Sequence, residues 1–77
     1  MSGNGFRVLG VDPGLETTGI SILDIEGSSY RPVFSGCIIT RKENPLSRRL
    51  ETIFNDLIEI IETYNPDCMA IEELFYP

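Results

Sequence analysis

The sequence has no histidine and no tryptophan, only two cysteines in 77 residues, and no apolar run that approaches a membrane span. Without imidazole, Ser-His and Cys-His nucleophile activation, histidine general-base chemistry and His-ligated zinc are excluded. A spanning helix needs about 20 consecutive apolar residues, so no membrane association is expected. The opening Met1-Ser2-Gly3-Asn4-Gly5-Phe6-Arg7 has no apolar run after a basic start and does not read as a signal peptide. A cytoplasmic location is expected. Cys37 and Cys68 stand far apart within apolar stretches, and free, buried thiols are expected rather than a disulfide. Basic residues are also scarce: six Lys and Arg oppose twelve Asp and Glu, for a net charge of −6. Taken alone, that balance opposes a nucleic-acid surface, which is normally basic. Any catalysis must rest on carboxylates, hydroxyls, backbone amides or an oxygen-bound metal.

What is present is the composition of an ordinary globular chain, 42% hydrophobic and 23% charged. At this length folding buries only about 60% of the surface, so one small domain of marginal stability is expected. The run Phe6-Arg7-Val8-Leu9-Gly10-Val11-Asp12, closed by Pro13-Gly14, reads as a buried strand ending in a turn. A second strand is expected over 18–25, a turn over 26–29 and a third strand over 33–40. Their short connections favour antiparallel neighbours. From Pro45 the rhythm changes: Leu46, Leu50, Ile53, Phe54, Leu57, Ile61 and Tyr64 recur at spacings of three and four, the stripe of a core-packed helix. Asn44 is expected to cap it, with Pro45 in its first turn and Asn65-Pro66 ending it. Cys68-Met69-Ala70-Ile71 then forms a strand apolar on both faces, which belongs in a sheet covered by helices on both sides. The order is strand-strand-strand-helix-strand, with the helix returning the fourth strand alongside and parallel to the first.

That arrangement gives two carboxylates their meaning. Asp12 closes the first strand and Glu72 the fourth; neighbouring strands lie roughly 4.8 Å apart, with their C-terminal ends on the edge where open α/β sheets place ligands. Two carboxylates meeting there repel unless a cation lies between them, and an oxygen-only donor set suits Mg²⁺ or Mn²⁺. The same residues also suit plainer roles, Asp12 as a turn former and Glu72-Glu73 as solvated surface. Thr17-Thr18-Gly19 adds hydroxyls and amides that suit a phosphate, although the lysine-bearing phosphate loop is absent. Arg41, Lys42, Arg48 and Arg49 surround the helix start, either as a solvated face or as phosphate contacts.

Together these residues resemble the N-terminal half of the RuvC-type Holliday junction resolvases, or crossover junction endodeoxyribonucleases. The resemblance runs through Val8-Leu9-Gly10-Val11-Asp12-Pro13-Gly14 with Thr18-Gly19, Gly36-Cys37-Ile38 with Thr40, Arg49-Leu50, and Pro66-Asp67 leading to Ala70-Ile71-Glu72-Glu73-Leu74-Phe75. It implies an α/β, ribonuclease H-like mixed sheet, with residues 1–77 as the N-terminal portion of one nuclease domain. It implies a Mg²⁺-dependent, structure-specific endonuclease of DNA recombination and repair, with Asp12 and Glu72 as metal-binding catalytic carboxylates. Two ions about 3.5–4 Å apart would activate water and stabilise the leaving oxygen, with Asp12 bridging them. Thr18 and Phe75 become DNA contacts, Phe75 as an aromatic that meets bases near the junction centre, with simple core burial as its other reading. Implied partners are four-way junction DNA, a second copy in a homodimer, and a branch-migration complex.

The family completes its site with further acidic residues near the end of the domain, so residues 1–77 by themselves are expected to be inactive. The rival reading is the phosphate-binding N-terminal subdomain of an actin-like ATPase or sugar kinase, in which Asp12, Gly14, Thr17 and Thr18 would hold phosphate and Mg²⁺. Pro13 inside the turn and the carboxylate-bearing strand at 70–73 stand against it.

Overall fold

In the computed structural model, which describes residues 5–14 and 16–72, four strands and one helix follow the expected order. They are β1 (Gly5–Asp12), β2 (Thr17–Glu26), β3 (Ser29–Ile39), α1 (Leu46–Tyr64) and β4 (Cys68–Ile71). The sheet order is β3-β2-β1-β4. β1 pairs antiparallel with β2, and β2 with β3, whereas β4 joins β1 in parallel, Val8 opposite Cys68 and Val11 opposite Ile71.

Local sequence explains most boundaries. Gly27 has φ +60°, the left-handed value that a two-residue hairpin turn demands, and it joins β2 to β3 through the Glu26–Ser29 pair. β3 begins four residues earlier than expected because Pro32 does not end it. β3 is an edge strand, where a missing N–H is tolerated, and a register shift beside Pro32 absorbs the irregularity. The helix is not capped by Asn44. Pro45 is its N-cap, at φ −57° and ψ 149°, and its carbonyl accepts the N–H groups of Arg48 and Arg49 at 3.0 and 3.1 Å. An N-cap needs only its carbonyl, so the proline loses nothing there. At the other end Asn65 turns left-handed and donates its N–H to the Ile61 carbonyl at 2.8 Å, and Pro66 follows.

The core lies between α1 and one face of the sheet. Leu9, Val11, Ile20, Ile22 and Ile38 are buried, and Val33, Phe34, Ile53, Leu57, Ile60 and Tyr64 pack against them. Phe34 and Tyr64 stack at 5.2 Å between ring centroids. The expected helical stripe is thus split. Ile53, Leu57 and Tyr64 face the sheet together with Ile60, while Leu46, Leu50, Phe54 and Ile61 remain exposed. β4 differs from expectation as well: all four of its residues are exposed, because among the described residues one helix covers one face only and β4 is the sheet's outer strand. Cys37 and Cys68 are free, as expected, but exposed rather than buried, since both fall on the uncovered face.

An ionic clamp holds the lower end. Arg7 and Asp24 are cross-strand partners, and the Arg7 guanidinium donates to both Asp24 carboxylate oxygens, at 2.7 and 3.0 Å. It also donates to the Tyr64 carbonyl at 2.8 Å, placing a cation at a helix C-terminus whose last turn has no basic residue. Asp67 accepts the Arg7 N–H at 2.7 Å and donates its own N–H to the Arg7 carbonyl at 2.8 Å, which starts the parallel β1–β4 ladder. No helix among the described residues is long and apolar enough to cross a membrane.

Candidate functional site

Strand alternation decides which side chains meet. In β1, Leu9 and Val11 point into the core, so Gly10 and Asp12 occupy the opposite, open face. In β4, Ala70 pairs with Gly10 and Ile71 with Val11. The Glu72 N–H then donates to the Val11 carbonyl at 3.0 Å, extending the ladder one step. Glu72 therefore stands level with Asp12, one strand away, on the same face. Both line an open cavity of about 500 Å³ whose floor is made of small residues, among them Gly10, Gly19, Ser21, Ser35 and Ala70. Asp12 and Glu72 are exposed, and among the described residues no ion pair engages either carboxylate.

The two carboxylates supply oxygen donors alone, from adjacent strands, which suits a hard divalent cation. They are part of a ligand set rather than a closed one: among the described residues, no group of three or more His, Cys, Asp or Glu side chains is placed to hold a metal ion.

Thr18 is not brought to this site. Asp12 pairs with Gly19, so Thr18 falls on the covered face with Ile20 and Ile22, only 4% exposed. Its hydroxyl cannot meet a phosphate on the open face, and Thr17 is the exposed hydroxyl on Asp12's side. The sequence carried that signal, since Thr18 shares the parity of Ile20 and Ile22. Phe75, together with Glu73, lies outside the described residues.

The same edge carries most of the chain's positive charge. Because β3 runs in the direction of β1, the 40–45 connection and the start of α1 lie at the Asp12 end. Thr40 there donates its N–H to the Glu16 carbonyl at 2.9 Å and accepts the Arg49 Nε–H at 3.3 Å. Arg41, Lys42 and Arg48 are exposed around it. Four of the six basic residues thus gather at one end; the other two, Arg7 and Arg31, bind Asp24.

The family model described as "Crossover junction endodeoxyribonuclease RuvC" matches residues 8–77. Proteins bearing that name in Desulforamulus reducens and in an Azoarcus species are 42% and 48% identical over 69 residues, 90% of this chain. The chain spans 42% and 37% of their respective lengths. Among solved structures, Thermus thermophilus RuvC in complex with Holliday junction substrate superposes with a TM-score of 0.85 at 25% identity, covering 94% of this chain and 44% of that one. An Aquifex aeolicus PPX-GPPA enzyme superposes at 0.66 with 19% identity, over 87% of this chain and 26% of that one, and shares the fold alone.

Proposed function

Because the chain belongs to the crossover junction endodeoxyribonuclease RuvC family, we propose that it carries the cation-binding edge of an enzyme that cuts four-way DNA junctions by phosphodiester hydrolysis. The observation that carries this reading is the level placement of Asp12 and Glu72 on adjacent parallel strands, facing one open cavity. In this reading residues 1–77 are a portion of one ribonuclease H-like nuclease domain, and the remaining ligands come from elsewhere in a protein of the relatives' length.

Asp12 and Glu72 would hold Mg²⁺, or Mn²⁺ in its place. When bound, the ion supplies a Lewis acid that polarises a phosphate oxygen and lowers the pKa of water. The chain's own contribution is position. The β1–β4 ladder fixes the separation of the carboxylates, and the low floor beneath them admits a nucleic-acid backbone. The net charge of −6 is no obstacle in this reading, because Arg41, Lys42 and Arg48 lie at the same edge, where phosphates would be neutralised. Matched cuts in two strands of a junction call for two copies of the active site, and hence a dimer. The kinase-like alternative draws less support, since Thr18, one of the hydroxyls it needs, is buried.

The test is a Mn²⁺ titration of the isotopically labelled chain, paired with cleavage of a four-way junction by a protein of the relatives' length. Paramagnetic broadening centred on residues 11–12 and 71–72, lost in Asp12→Asn, together with cleavage lost in Asp12→Asn and Glu72→Gln, is the expected result. Broadening elsewhere, or undiminished cleavage by either variant, refutes the assignment.

A further inference from the structure

Gly19 stands directly across the antiparallel pair from Asp12. A Cβ built there would lie 3.4 Å from the Asp12 Cβ and 4.0 Å from its Oδ2. The backbone does not require glycine at this position: among the described residues the one glycine with positive φ is Gly27. Glycine is also a poor strand residue, costing backbone entropy and giving no packing in return. Its usefulness at position 19 is therefore the space it leaves.

That space has a defined place. On its β4 side Asp12 is flanked by Glu72, whereas on its β2 side, among the described residues of this strand row, the next side chain is that of Cys37, the partner of Gly19 on β3. Two strand spacings separate the rows of Asp12 and Cys37, about 9.6 Å, which is wide enough for a tetrahedral phosphate. The neighbouring row on the same face is Ala70, Gly10, Ser21 and Ser35, all small residues, two of which carry hydroxyls.

We propose that Gly19 determines substrate access to the site, its missing side chain holding open the β2 flank of Asp12 for a phosphate group of a DNA strand. The inference rests on the functional reading above, with Glu72 and Asp12 sharing a cation on one flank and the phosphate entering on the other. A Cβ at 19 fits at ordinary contact distance from Asp12, and a longer side chain grows from it into the space between Asp12 and Cys37.

The experiment compares a wild-type protein of the relatives' length carrying these residues with its Gly19→Ala and Gly19→Val variants, using Mn²⁺ alone as one probe and a fluorescent four-way DNA junction with Mn²⁺ as the other. Circular dichroism monitors folding. The expected result is Mn²⁺ binding within about twofold of wild type in both variants, while junction affinity falls about tenfold or more in Gly19→Val and by less in Gly19→Ala. Unchanged junction affinity in Gly19→Val overturns the proposal. Should that variant fail to fold, unchanged affinity in Gly19→Ala does so instead. A wild-type protein of that length that binds Mn²⁺ at Asp12 and Glu72 but shows no Mn²⁺-dependent junction binding also overturns it and leaves the cation reading standing; one with no Mn²⁺ binding there removes both.

Discussion

Glu72 reaches the level of Asp12 through one backbone bond, its N–H to the Val11 carbonyl at 3.0 Å. Placement of the second carboxylate thus depends on the register of β4 against β1. Substituting Ala70 by proline removes a ladder donor from β4 and should weaken Mn²⁺ binding although neither carboxylate is touched. Isothermal titration of the variant against wild type checks this; equal affinities would show that β4 pairing does not set the site.

The Arg7–Asp24 pair gives the fold an acid limit. The hydrogen bonds from Arg7, with Arg31 assisting, hold the Asp24 carboxyl down to about 2 from its ordinary 3.8. A carboxylate depressed in the folded state contributes stability that is present above the unfolded value and lost as pH falls through the folded one. Stability measured by urea denaturation should therefore drop between about pH 4 and pH 2. In Asp24→Asn that portion of the drop should vanish, leaving a lower plateau at neutral pH.

Leu9 and Ile22 are fully buried at the centre of the sheet's covered face. Truncating either to alanine should cost about 2–5 kcal/mol, a large share of the stability available to so small a core. Thermal melts should show both variants mostly unfolded at temperatures where wild type is folded. A loss well under 1 kcal/mol would place the core elsewhere.

Gly36 makes room for the Phe34 ring, since a Cβ there would lie 2.9 Å from Cζ. Gly36→Ala should push Phe34 off Tyr64 and loosen the helix from the sheet, at a cost of about 1–3 kcal/mol. Changed chemical shifts of the Tyr64 ring protons, alongside the lower melting temperature, distinguish this from a backbone effect.

Both thiols should react with a maleimide in the native state, without denaturant, at rates close to those of a small-molecule thiol. Mass spectrometry of the labelled chain reads this out. Protection of either cysteine would mean that the open face is covered in solution.

The strand order and the meeting of Asp12 with Glu72 were legible in the sequence because alternation and strand polarity decide them together. β1 ends where Pro13-Gly14 forces a turn, and a helix of 19 residues can return β4 only in the parallel sense. Thr18 was misplaced because its hydroxyl was weighed apart from its strand parity, which it shares with the buried Ile20 and Ile22 and which puts it on the covered face. The start of β3 before Pro32 was not legible because proline is excluded only from interior strands, and sequence alone does not say that β3 is an edge. The exposed residues of α1 and the two surface thiols share one cause: apolar composition marks what can be buried, while the layers actually stacked decide what is.

One half of the carboxylate pair directly follows β4, an edge strand four residues long and exposed throughout. Amide hydrogen exchange there should report an opening far less costly than that of β1 and β2, so the site disassembles before the protein does. A cation held as proposed would act in reverse, as a staple across the β1–β4 seam whose tightening grows with the logarithm of ion concentration over its dissociation constant.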